Sequence, residues 1–133
     1  MSREKFATVI NCMDGRTQLQ TNQWIREEFG VDHVDTVTEP GPDRILSDPN
    51  DPQIDSIKIR VLVSVKKHGS RNVVIVSHTD CWGNRVSKKE HLEQLKRSME
   101  IVRGWGFGVN VIGIWIGEDW KVREIDRIES PRG

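Results

Sequence analysis

Asn72-Val73-Val74-Ile75-Val76-Ser77-His78-Thr79-Asp80-Cys81 is a β-branched run that ends in an imidazole, a carboxylate and a thiol. Four consecutive apolar side chains, Val73 to Val76, leave no polar face, which predicts a strand buried on both sides in a parallel sheet. Upstream, Ile54, Ile57, Val61, Leu62 and Val65 fall on one helical stripe, and Gly69 stops that helix. Downstream, Ser87 and Glu90 form a capping-box pair, and Leu92, Leu95, Met99 and Val102 share one face of the helix it opens. Residues 109–116 predict a last long strand, and Gly117-Glu118-Asp119 a turn into a short final strand over residues 121–125.

Nearer the start, Ala7-Thr8-Val9-Ile10-Asn11-Cys12 reads as a second strand buried on both faces. Leu19, Trp24, Ile25 and Phe29 suggest a short, weakly amphipathic helix over residues 17–29, closed by Gly30. Residues 33–38 give a further strand with poor alternation. Residues 39–52 hold four of the five prolines and are expected to be an irregular loop. Strand, helix, strand, helix, strand, helix, strand is the pattern of an α/β fold. It predicts an open, mostly parallel four-stranded sheet with flanking helices, plus a C-terminal hairpin strand. There is no internal repeat or low-complexity segment, and the end from Ser130 to Gly133 is expected to fray.

With 133 residues, the chain is long enough for one domain, taken as residues 1–133, with a core that needs no disulfide staples. Twenty basic and 20 acidic side chains give zero formal charge, which does not favour nucleic acid as a partner. No apolar run approaches the ~20 residues of a membrane span. No apolar stretch follows the charges of Met1-Ser2-Arg3-Glu4-Lys5-Phe6, so a signal peptide is not expected and the reading is cytoplasmic. In such a chain two isolated cysteines are more often buried, metal-bound or reactive than bridged.

Open α/β sheets bind ligands beyond the carboxyl ends of their strands. Two strands here end in Cys12-Met13-Asp14-Gly15-Arg16 and His78-Thr79-Asp80-Cys81, which puts both cysteines on the same edge. Cys12, His78 and Cys81 offer two thiolates and an imidazole, a set that zinc favours and that leaves its fourth tetrahedral position open. Asp14 can approach the same point, and Arg16 can pair with that carboxylate through its planar fork. Plainer roles remain for each residue: a small apolar Cys, a core or capping His78, Asp14 as a helix cap, Arg16 on the surface, or a Cys12–Cys81 disulfide. Five separate coincidences at one sheet edge make the metal reading the stronger one.

These two motifs resemble the Cys-x-Asp-x-Arg and His-x-x-Cys motifs of β-class carbonic anhydrases, and the similarity runs from Phe6 to Ile128. The resemblance implies that Cys12, His78 and Cys81 hold Zn2+, that Asp14 accepts a hydrogen bond from the zinc-bound water, and that Arg16 keeps Asp14 off the metal. Where that pair breaks in the family, the aspartate takes the fourth position and closes the site. Zinc lowers the pKa of bound water towards ~7, giving a hydroxide nucleophile for the reversible hydration of CO2 to bicarbonate. Two thiolates donate more charge to zinc than histidines do, so a somewhat alkaline optimum is expected. Two other readings keep the fold: a zinc hydrolase of carbonyl sulfide or carbon disulfide, and a zinc-binding protein without turnover.

The chain departs from the family in three places. Thr38-Glu39-Pro40-Gly41 stands where Arg-Asn-Ala-Gly is usual, and Trp82 follows Cys81 where the family usually has glycine. An indole there could narrow the channel, pack at a subunit contact or fill core space. The first predicted strand begins almost at once, without the helical arm that usually embraces a partner. A homodimer or higher homo-oligomer is still implied by the resemblance. His33 or His91 could relay the proton, although surface roles are commoner for such residues.

Overall fold

The computed structural model describes residues 4–131. The chain runs β1 (Phe6–Cys12), a single 3-10 turn (Gly15–Thr17), α1 (Gln18–Phe29), β2 (His33–Glu39), α2 (Pro42–Leu46), α3 (Gln53–His68), β3 (Asn72–His78), α4 (Lys88–Arg103), β4 (Asn110–Ile116) and β5 (Val122–Ile128). One sheet has the order β2-β1-β3-β4-β5. The first four strands pair in parallel and β5 is antiparallel to β4, as the alternating strand and helix pattern predicts.

Both faces of the sheet are covered. Ile10 and Ile75 point into a core closed by Ile45 and Leu46 of α2, Ile57 and Val61 of α3, and Leu95 and Met99 of α4. Ala7, Val9, Val74, Val76, Ile112 and Ile114 pack on the opposite face with Ile25 of α1. This two-sided burial is why β1, β3 and β4 are apolar runs and not alternating patterns. Strand β2 lies at the edge and is more exposed, which accounts for its poor alternation.

Two local expectations are corrected. The proline-rich segment over residues 39–52 is not wholly irregular, since it contains α2. Gly41, with φ +67°, turns the chain sharply, and Pro42 occupies the first turn, where its missing N–H is no loss. Ile45 and Leu46, fully buried, then anchor this short helix. The last strand extends to Ile128 because antiparallel pairing continues to Val111↔Ile128. At the expected frayed end, Ser130 donates its N–H to Asn110 Oδ1, and Arg132 and Gly133 lie outside the described residues. No helix among the described residues is long and apolar enough to cross a membrane.

The sheet has its switch point between β1 and β3. The connection after β1 runs outward to β2, the connection after β3 runs the other way to β4, and a crevice opens between β1 and β3. Pairing of β1 with β2 continues to Cys12↔Glu39, and pairing of β3 with β4 to His78↔Ile116. Between β1 and β3 it stops at Ile10↔Ile75. The two central strands therefore part just before Cys12 and His78.

Candidate metal centre

That gap gathers the three predicted ligands. Cys12 and His78 end their strands, and Cys81 follows in the turn after β3. Their ligand atoms all lie within 4.8 Å of one another, and all three residues are buried. The Cys12 turn is held from several sides. The Met13 N–H bonds the Glu39 carbonyl (3.1 Å), and Gln18 Nε2 bonds the Cys12 carbonyl (2.6 Å).

The cysteines are free, with Sγ atoms 3.9 Å apart, so the disulfide alternative is set aside. Two sulfurs bound tetrahedrally to one zinc at ~2.3 Å each would be about 3.8 Å apart. The imidazole is equally informative. Nδ1 of His78 donates to the Thr79 carbonyl at 2.6 Å, which leaves Nε2 with its lone pair. Nε2 is one of two buried side-chain polar atoms without a hydrogen-bond partner among the described residues. A buried acceptor left unpaired is costly unless something electropositive meets it.

Without a cation the cluster favours a Cys12 thiolate beside a protonated His78, and a metal ion would displace those protons. The Cys12 thiol is lowered to about 4, chiefly by the hydrogen bond from Cys81, against the opposing effect of burial and with help from His78. That same hydrogen bond, with burial, pushes the Cys81 thiol up. Two thiols this close share a proton, and a second thiolate needs a cation against the sulfurs. At His78, burial disfavours the imidazolium, but the Cys12 sulfur and the Thr79 carbonyl outweigh it and the pKa rises. The donor set and spacing suit a soft-ligand divalent ion such as zinc.

Asp14 and Arg16 sit together at the mouth of the site. Arg16 Nη2 lies 2.7 Å from Asp14 Oδ2, and Nε lies 3.1 Å from Oδ1. This fork lowers the Asp14 carboxyl to about 2, so it is ionised at any working pH. Asp14 is also close enough to raise the His78 pKa through its charge.

Sequence reasoning did not find the support beneath Cys81. Asp43 of α2 is buried and accepts from Asn84 Nδ2 (2.8 Å) and Ser77 Oγ (2.5 Å), and His91 Nδ1 lies 2.6 Å away. The Asn84 N–H also bonds the Cys81 carbonyl (3.2 Å). Gly83 and Gly41 pack backbone to backbone, and a Cβ on Gly83 would lie 2.4 Å from the Pro40 carbonyl carbon. One signal was available: His91 lies one helical turn before Leu95, on the buried face of α4.

The departures from the family pattern also have places. Glu39 pairs with Arg60 of α3. Trp82 is 76% exposed beneath the Arg85 guanidinium, so within this chain it fills no core space. Neither relay candidate faces the site. His33 starts β2 at the opposite end of the sheet, pairing with Phe6, and His91 is enclosed with Asp43.

Solved β-carbonic anhydrases share the fold. Isoform I from the protozoan Trichomonas vaginalis superposes with TM-score 0.63 at 16% identity, covering 94% of this chain and 85% of that one. A tetrameric β-carbonic anhydrase from the ascomycete Sordaria macrospora gives 0.56 at 15% identity, covering 96% and 84%. Carbonic anhydrase from Streptococcus mutans gives 0.51 at 19% identity, covering 90% and 81%. No curated protein sequence matches significantly. A family model described as "Putative carbonic anhydrase" matches residues 2–126, nearly the whole chain, and the chain belongs to that family.

Proposed function

We propose that this protein binds zinc through Cys12, His78 and Cys81 and catalyses the reversible hydration of CO2 to bicarbonate. The observation that carries this reading is the buried, unpartnered His78 Nε2 beside two free sulfurs 3.9 Å apart. When bound, zinc supplies a Lewis acid that brings the pKa of water towards ~7.

The remaining work falls to side chains. The reaction adds water to CO2 and yields bicarbonate and a proton. Asp14, kept ionised by Arg16, accepts a hydrogen bond from the attacking water and orients it towards the carbon. The Arg16 fork also holds Asp14 away from the position the water needs. The buried scaffold around Asp43 fixes the Cys81 loop before any ligand arrives. We also propose that the chain acts as a homo-oligomer. The Sordaria macrospora neighbour is tetrameric, and Met13 and Leu19 are exposed apolar side chains on this one.

Metal analysis of purified protein and stopped-flow CO2 hydration test the reading, with Asp14→Ala and Cys81→Ser beside wild type. About one zinc per chain and measurable hydration are expected. Cys81→Ser loses metal, while Asp14→Ala keeps metal and loses rate. Absence of stoichiometric zinc overturns the metal assignment. Zinc without hydration at any pH up to about 9 overturns the CO2 activity and leaves a binding protein or another linear substrate.

A further inference from the structure

Among the described residues, two that are not glycine have positive φ: Asp80 at 54° and Trp120 at 59°. Aspartate enters this region more readily than most side chains, whereas a bulky indole resists it. Such strain persists only where surrounding contacts over-determine it. These residues come from separate turns, one between His78 and Cys81 and the other in the β4–β5 hairpin. Both converge on Arg16.

Asp80 Oδ2 lies 3.2 Å from Arg16 Nη1, and the Asp80 carbonyl accepts from Nη2 at 3.3 Å. The Trp120 ring lies under the guanidinium, with Cζ 4.5 Å from its centroid. Gln20 Nε2 ties the assembly by donating to the Trp120 carbonyl (3.0 Å) and the Arg16 carbonyl (2.6 Å). Asp14 uses Nε and the near side of Nη2, so Asp80 takes the one nitrogen, Nη1, that Asp14 leaves. The second carboxylate therefore does not compete for the fork. It fills the remaining edge while the indole covers a face.

The Arg16 side chain is 47% exposed, and a lone surface ion pair would be a weak tether against its rotamer freedom. Closing the free edge and a face removes the rotations that would carry the guanidinium into solvent. We propose that Asp80 and Trp120 are positioning residues that clamp Arg16 on Asp14 and so keep Asp14 off the metal position. This rests on the zinc reading above.

The test uses cobalt(II)-loaded protein as a spectroscopic probe, titrated with thiocyanate and followed by visible absorption. The anion enters only where the fourth ligand position is free. Wild type binds thiocyanate. Asp80→Gly relieves the backbone strain, so its melting temperature does not fall, yet its thiocyanate affinity drops by about fivefold as Asp14 competes. Trp120→Ala weakens the anion similarly. Adding Asp14→Ala to either restores wild-type affinity, which a merely structural role would not do. Asp80→Asn tolerates the left-handed backbone, removes only the charge, and serves if another variant folds poorly.

Unchanged thiocyanate affinity in fully cobalt-loaded Asp80→Gly, Asp80→Asn and Trp120→Ala overturns the clamp alone. So does failure of Asp14→Ala to restore affinity, or a loaded wild type that binds no anion. A wild type that takes up no zinc or cobalt overturns the metal reading and the clamp with it.

Discussion

His91 Nδ1 lies 2.6 Å from Asp43 Oδ2, and the two side chains are only 3% and 2% exposed. The pair joins α4 to the short helix α2, and Asn84, bonded to the same carboxylate, extends it to the loop that carries Cys81. Burial alone would favour the neutral acid. Hydrogen bonds from His91, Ser77 and Asn84 outweigh it and hold the Asp43 carboxyl below its ordinary range.

Removing one member of such a pair strands the other. Asp43→Ala is expected to destabilise the fold by about 3–5 kcal/mol, measured by chemical denaturation. The acid dependence has a definite sign. A carboxyl whose folded pKa lies below its unfolded value stabilises fully above about pH 4, and that stability is lost as pH falls through the folded value. Denaturation midpoints measured from pH 7 to pH 3 should therefore fall less steeply for Asp43→Asn than for wild type.

The Gly41–Gly83 contact gives a second prediction. A Cβ on Gly83 would sit 2.4 Å from Pro40 C and 2.6 Å from Gly41 N, backbone atoms that cannot rotate aside. Gly83→Ala is expected to cost about 2–4 kcal/mol and to lower zinc occupancy, because the displaced loop carries Cys81. Gly113→Ala is the comparison. Its Cβ would meet the Met99 sulfur at 2.6 Å, and a flexible thioether can move, so about 1 kcal/mol is expected with metal content unchanged. Denaturation curves and metal analysis check both.

What was legible in the sequence follows from these contacts. Strands buried on both faces announce themselves as apolar runs, so β1 and β3 could be placed, and with them Cys12, His78 and Cys81 at one edge. Asp43 was hidden because its segment reads as a proline-rich loop, and its importance depends on partners 34 to 48 residues away. His91 was noticed but read as a relay or surface residue, because its charged neighbours Lys88, Lys89 and Glu90 suggest a solvated turn. The Arg16 contacts with Asp80 and Trp120 depend on how two turns fold against each other, which no periodicity reports.

Trp82 supplies a third prediction. The exposed indole stacks on Arg85, with Cζ 3.5 Å from the ring centroid, and takes no part in the core. Trp82→Ala is therefore expected to change folding stability by no more than about 0.5 kcal/mol, by denaturation of the variant beside wild type. A loss of several kcal/mol would mean that the indole is buried against a second subunit.

Asp14 supplies the last prediction. Arg16 holds its carboxyl at about 2, so it carries its charge throughout the range in which CO2 hydration would be assayed. Working the sign through, a depressed carboxyl stabilises above its unfolded value near pH 4 and loses that contribution only towards pH 2. Because the pair is at the surface, that contribution is small. A rise in rate between pH 6 and pH 9 must then come from a group other than Asp14. Two thiolates would load more negative charge on a bound ion than imidazoles, so water on it would be less acidic and the rise is expected on the alkaline side. In Asp14→Asn the rate should drop by about tenfold to a hundredfold while the rise with pH persists. Stopped-flow profiles of the two proteins check this, and a flat profile in Asp14→Asn would make Asp14 the titrating group.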